Sequence, residues 1–511
     1  MRNAECGMRN DGIFSRVIDS IIGRPFHSVF MSACLLIALL VCVSAVNISA
    51  QDIIPKPGPA KSVNVPAAKE TKLKNGLTVA VVEKKDVPLV TIRLLIRAGA
   101  SSEDSSKAGL ADLTASMLTK GTKTRSATQI AQDVEFLGGS INSGADWNGS
   151  YINITVSSDK LDQAMSILAD VVLNPTFPQD ELDLLKSQAA DGLKYNLSQP
   201  GFLANYVASK YSYGEHPAGG TPESIAGITQ TDVKDFYTEQ FQPDISVLIF
   251  AGDITSQKAA KLSERLFGKW PLPTREEGYN AVASAQKLTE HNIFKRMLVV
   301  DLPGSGQASV SYHKEIEYIN RSSDEYYSSN VLNSVLGGGY SSRLNQEIRI
   351  KRGLSYGAGS SFAWRGWKTN FGTRTQTKNE SAPEVATLVI GELEKIANTN
   401  IAEDELVPRK AVLTGNFGRS LETTGGLAAA VSDLYLFYLP TSDLNKYMPS
   451  VNAVTPDQIK KFATSNLLGG DIIIVGDYAK FKEDLAKRFP DTKFDVIKAD
   501  ELDITKPNLR K

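Results

Sequence analysis

Two short runs, Ser246-Val-Leu-Ile-Phe-Ala-Gly-Asp253 and Ile472-Ile-Ile-Val-Gly-Asp477, decide the fold. Each is apolar, rich in β-branched residues and closed by Gly-Asp, and each reads as a strand. Their closing pairs, Gly252-Asp253 and Gly476-Asp477, define an offset between two stretches of the chain. Asp180-Glu181-Leu182 and Asp404-Glu405-Leu406 repeat at the same offset, each taken to end a helix-like stretch. The flanks agree in order: ITQTDVKDFYTEQF answers VTPDQIKKFATSNL. One Gly-Asp match means nothing, but two anchors at one offset with matching flanks indicate an internal duplication.

Within each copy the pattern is mixed. Leu77–Glu83 and Val90–Ala98 alternate apolar and polar residues, as half-buried strands do. Ala108–Leu118 and Thr128–Leu137 have helical spacing, and Leu161–Val172 carries a single apolar stripe with Asp159 as a candidate N-cap. The fold class expected is α+β: two homologous domains in a clam-like pair, each an antiparallel-rich sheet with helices on one face. The boundaries drawn are 1–50 leader, 51–70 extended segment, 71–275 first domain, 276–296 linker, 297–496 second domain and 497–511 tail.

Composition narrows the function classes. The 511 residues are 42% apolar and 22% charged with a formal net charge of −1, so nothing suggests a nucleic-acid binder. Polar residues Met1 to His27 precede an apolar run, Val29 to Val46, and small residues Ser44-Ala45 and Ser49-Ala50 follow. This order reads as a secretory signal cleaved after Ala50 or Ala45, with an uncleaved membrane anchor as the other reading. Met8 is an alternative start. A periplasmic location is expected, with membrane attachment only through an uncleaved leader. Cys6, Cys34 and Cys42 all lie in that leader, which leaves the mature chain without disulfides or thiolate chemistry.

Three segments carry a family resemblance. They are Gly109-Leu-Ala with Met117-Leu-Thr-Lys-Gly-Thr122; Tyr213-Gly-Glu-His-Pro217 with Gly220-Thr-Pro-Glu-Ser-Ile225; and Leu336-Gly-Gly-Gly-Tyr-Ser-Ser-Arg-Leu344 with Arg349-Ile-Lys-Arg-Gly-Leu-Ser-Tyr356. Together they resemble the pitrilysin/insulinase family of zinc metallopeptidases, which includes the mitochondrial processing peptidase, over about Lys72 to Phe494. That family binds zinc with H-x-x-E-H on a helix and a downstream glutamate. Here the two histidine positions carry Asp112 and Ser116, the glutamate position carries Ala115, and the downstream ligand falls on Gly192 with Asp191 one place off. Only His216, His291 and His313 remain in the mature chain, and they are scattered. No metal or other cofactor is expected on this chain.

The resemblance also implies roles in trans. In family heterodimers the chain without zinc brings an arginine and a tyrosine to the scissile carbonyl, and a glycine-rich loop meets substrate. The corresponding residues are Arg349, Tyr356 and Gly337-Gly338-Gly339. The plainer readings are a surface ion pair for Arg349, a strand aromatic for Tyr356 and a flexible helix-entry loop for the glycines. The resemblance thus implies a zinc-bearing sister chain as partner and unfolded peptides as ligands. The alternative is a scaffold or peptide-binding protein without catalysis.

Overall fold

The computed structural model describes residues 64–272 and 294–511. The leader with its three cysteines, most of the expected linker and His291 lie outside these residues. Among the described residues no helix is long and apolar enough to cross a membrane.

Among the described residues twelve strands form two six-stranded sheets. The first comprises β1 (Lys69–Lys72), β2 (Thr78–Glu83), β3 (Leu89–Ile96), β4 (Ser140–Ala145), β5 (Ser150–Ser157) and β6 (Ser246–Gly252), in the order β1-β2-β6-β3-β5-β4. The second comprises β7 (Phe294–Asp301), β8 (Ala308–Glu317), β9 (Ala358–Trp364), β10 (Lys368–Thr377), β11 (Gly470–Gly476) and β12 (Phe494–Lys498), in the order β12-β7-β11-β8-β10-β9. In each sheet one central pair, β2–β6 or β7–β11, is parallel, and the three pairs that follow are antiparallel. The copies differ at the outer edge, where β1 pairs antiparallel with β2 but β12 pairs parallel with β7. The strands β6 and β11 keep the offset of the sequence repeat at both of their ends.

Both of these central strands are buried along their whole length. A strand buried on both faces has no reason to alternate, which is why the two runs read as unbroken apolar stretches. On one face each sheet carries helices of its own half. Leu161, Ala164, Met165 and Leu168 of the helix Leu161–Leu173 pack against Val79, Ile92 and Ile154 in the first core, and Val385, Val389 and Leu393 do the same in the second. The other face is covered from the opposite half. The helix α3 (Pro200–Tyr211), which follows α1 (Leu110–Met117) and α2 (Gln179–Leu197), lays Leu203, Val207 and Ala208 on Leu298, Val300 and Ile473. In return α6 (Thr424–Leu436), which follows α4 (Glu325–Leu336) and α5 (Glu403–Ser420), lays Leu427, Val431 and Leu434 on Ala80, Leu95 and Ile249. The exchanged helices start at Pro200 and Thr424, again at the offset of the repeat.

Polar contacts pin the exchange. Thr91 and Thr424 hydroxyls bond at 2.8 Å, Arg93 donates to the Ser432 hydroxyl, and Arg97 donates to the Tyr435 carbonyl. Across the other joint Glu215 receives Arg365 through both carboxylate oxygens at 3.2 and 3.1 Å and pairs with Lys368 at 3.1 Å. Beside it the Tyr213 hydroxyl donates to the Phe371 carbonyl and lies 2.8 Å from His313 Nδ1. His313 Nε2 lies 2.8 Å from the Ser311 hydroxyl. A neutral imidazole with its proton on Nδ1 satisfies all three bonds, and complete burial pushes the His313 pKa down to about 3.

Several local expectations are corrected. Asp180–Leu182 and Asp404–Leu406 begin α2 and α5 rather than end helices, where their acids suit the positive helix N-terminus. Asp159 does not cap the helix Leu161–Leu173; its carboxylate accepts from Ser157 instead. The segment drawn as extended, 51–70, is tied down at its end. Val65 is buried and exchanges two backbone bonds with the Asn445 amide, and β1 begins at Lys69. The tail packs too: Ile504 and Leu509 are buried against the second sheet.

Candidate functional site

The helix α1 carries the positions where the family's zinc ligands stand. Its N-terminus is held by Glu103, whose two carboxylate oxygens accept from the Gly109 and Ala111 amides at 2.8 and 2.6 Å. His216 leans on the same carboxylate at 3.1 Å and packs against Trp147, so it serves as a brace for the helix entry. Asp112 is exposed and accepts from the Ala145 amide at 3.0 Å, tying α1 to β4. Ala115 is fully buried and Ser116 half-buried. On α2, Asp191 and Gly192 are exposed, and a Cβ on Gly192 would meet nothing within 4 Å. One carboxylate, already bonded, and one hydroxyl fall short of the three strong protein ligands that a catalytic zinc needs. Among the described residues no three of His, Cys, Asp and Glu group so as to hold a metal ion.

The second half presents the opposite picture. Gly337–Gly339, Arg349 and Tyr356, picked from separate stretches of sequence, line one cleft of about 940 Å3. The glycines follow the end of α4 rather than enter a helix, and the Gly337 and Gly338 amides both return to the Asn333 carbonyl. They differ in the room around them. A Cβ on Gly337 would sit 2.2 Å from the Ser360 nitrogen, because the Gly337 carbonyl accepts from that amide at the edge of β9. A Cβ on Gly339 would meet nothing within 4 Å, so the fold itself makes no steric demand for glycine there.

Arg349 lies in a five-residue π-helical turn, Gln346–Ile350, a local widening that recurs at functional sites. Neighbouring cations are already paired. Arg343 forks onto Glu405 at 2.8 and 2.7 Å, while Lys351 and Arg352 share Glu347. Among the described residues Arg349 has neither an ion-pair partner nor a side-chain hydrogen bond; its guanidinium lies over the Tyr340 ring at 5.1 Å. That sets aside the surface ion pair. Tyr356 is not a strand aromatic either: it sits in the bend before β9, is 89% exposed, and its hydroxyl has no partner among the described residues. An unpaired guanidinium and a free phenol on one wall are donors without acceptors, the chemistry that stabilises a carbonyl gaining negative charge.

Gly201, Phe202 and Asn205 of α3, from the first half, close the far side of this cleft. The same wall continues, through Phe202 and Asn205, into an inner chamber of about 430 Å3 bounded by Trp147, His216, His313 and Arg365. Sequence reasoning missed this inner chamber, because its walls come from both copies of the repeat and no single segment announces them.

A duplicated α+β chain with exchanged helices, a helix stripped of metal ligands and a donor-lined cleft defines a peptidase-like protein of the kind without zinc ligands. The model of the insulinase family, peptidase family M16, matches residues 78–206, and that of the peptidase M16 inactive domain matches residues 227–413. An uncharacterized zinc protease of Rickettsia felis is 26% identical over 418 residues, covering 79% of this chain and 92% of the relative. The Bacillus subtilis zinc protease YmxG is 25% identical over 398 residues, covering 76% and 93%. The crystal structure of a peptidase M16 inactive domain from Pseudomonas fluorescens superposes with a TM-score of 0.71 at 27% identity, covering 81% of this chain and 98% of that one. A Helicobacter pylori protease shares the fold at a TM-score of 0.75 and 20% identity, covering 81% and 100%. The chain belongs to the insulinase family, peptidase family M16, and is of the type that lacks the family's zinc motif.

Proposed function

We propose that this chain is the non-metal subunit of a two-chain zinc peptidase. The observation that carries the reading is the convergence of Arg349, Tyr356 and Gly339 on one cleft, with both donors unpaired. A zinc-bearing sister chain would supply the metal and its activated water. This chain would hold an unfolded peptide and place Arg349 and Tyr356 on its scissile carbonyl. The leader's order of segments supports export, with the periplasm as the place of work.

A second reading, a peptide-binding protein without catalysis, is favoured by one observation: residues of both halves complete the cleft and inner chamber within a single chain. The test is peptidase activity on an unfolded peptide. The mature chain is assayed alone, with a zinc-bearing sister chain from the same cell, and with R349A and Y356F in that pair. Removing one preorganised donor costs about 10²–10³ in kcat in comparable sites. Losses of that order in the pair support the subunit. Full activity in both variants leaves the binding protein as the reading.

A further inference from the structure

The cleft and the inner chamber form one groove, since both are lined by Phe202, Asn205, Ser361 and Arg374. Its floor is the face of β9 and β10 carrying Gly359, Ser361, Ala363, Asn370, Gly372 and Arg374. Four of these six are glycine, alanine or serine, which leaves width for an extended chain. Two features of the floor have no partner among the described residues. Asn370 is 2% exposed, yet neither its Oδ1 nor its Nδ2 is hydrogen-bonded. Arg374 is exposed and has no ion pair or hydrogen bond, although it stands where the two spaces meet.

The charges around them are one-sided. No carboxylate lines the outer cleft, which holds Arg349 and Arg374. The inner chamber has one, Glu215, and it is consumed by Arg365 and Lys368. A buried primary amide with a free donor and a free acceptor is matched by a peptide group, which offers C=O and N–H together. A free guanidinium four residues further along the same strand, about 13 Å away between Cα atoms, is matched by a carboxylate. We propose that the groove selects acidic extended peptides: a carboxylate docks on Arg374 while a peptide group further along the bound chain pairs with the Asn370 side chain. This rests on the reading that the cleft receives peptides, and it adds which ones.

The test is direct binding to the mature chain alone, read by fluorescence anisotropy at low salt. The probes are unstructured fluorescein-labelled decapeptides carrying Glu, Gln or Lys at the same positions, each with a free or an amidated C-terminus. The Glu peptide is expected to bind roughly two- to fivefold more tightly than the Gln peptide, the scale of one partly exposed ion pair. R374Q is expected to erase that ratio, and N370A to weaken Glu and Gln peptides by the same factor. If amidation weakens binding while Glu-to-Gln exchange leaves it unchanged, the carboxylate read by Arg374 is the C-terminal one, and selection of acidic side chains is overturned. As a control on folding, N370L should melt no lower than the parent, because it removes an amide that pairs with nothing in the protein. Equal binding of Glu and Lys peptides, or an unchanged ratio in R374Q, overturns the proposal. If the pair cleaves peptide but the chain alone binds none of the six probes, this inference falls and the subunit reading stands. If acidic peptides bind but no sister chain is activated, the reverse holds.

Discussion

Replacing Glu215 with glutamine probes how the two halves are held together. Glutamine keeps the shape and one acceptor but turns an NH2 towards one of two cations. Those cations fare differently. Lys368 keeps the Glu315 carboxylate and the Tyr213 carbonyl at 3.0 Å. Arg365 keeps only the face of the Trp147 ring, at 5.0 Å. Breaking a fully buried pair costs about 3–5 kcal/mol. The Arg365 side chain is 18% exposed and Lys368 is partly compensated, so about 2–3 kcal/mol is expected here. Unfolding entropy of about 2.1 cal/mol/K per residue, over the roughly 430 described residues, gives about 0.9 kcal/mol/K. The melting temperature should therefore fall by about 2–3 °C. Calorimetry on E215Q, R365M and the double variant measures the coupling between the two residues. If E215Q melts within about half a degree of the parent and the coupling is near zero, water screens the cluster and the apolar layers alone join the halves.

Other expectations follow from the same geometry. His313 stays neutral in the fold down to about pH 3, whereas an unfolded histidine protonates near pH 6.5. Only the unfolded chain binds that proton in between, so stability should fall as pH drops below about 6.5, by about 1.4 kcal/mol per unit from this group; urea midpoints of the parent and H313Q between pH 4 and 7 should diverge accordingly. G337A should destabilise by about 1–3 kcal/mol, since its Cβ meets the β9 backbone. G339A should melt like the parent, while G339L should lose peptide affinity without losing stability; equal melting of G337A and G339A would refute this division of labour. The triple variant D112H/S116H/G192E should bind about one zinc per chain in equilibrium dialysis; no uptake by a folded variant would mean that Gly192 does not face the α1 pair.

The duplication and both sheets were legible because β6 and β11 leave unbroken apolar runs at a fixed offset. The exchange of helices was not, although its signal is present: Gly201, Leu203, Ala204, Val207 and Tyr211 recur as Gly425, Leu427, Ala428, Val431 and Tyr435. Periodicity says that a face is apolar, not which sheet receives it, and both helices cross to the other half. The unbroken runs held the missing clue, since a strand buried on both faces needs a second layer from somewhere. In the cleft, Arg349, Tyr356 and the glycines were found through family motifs. Asn370 and Arg374 escaped notice because an unpaired side chain is defined by what surrounds it, and nothing local in KTNFGTRTQT says so.

The exchange has a consequence for how the protein is made. The last strand of the first sheet ends at Gly252, but the helix that covers that sheet's open face ends at Leu436. At about 5–20 residues per second, ribosomes need on the order of 10–40 s to add that intervening stretch. Throughout that interval Ala80, Leu95 and Ile249 have no cover of their own, so a holding chaperone, or a delay in folding until the whole chain is released, is built into the order of the gene.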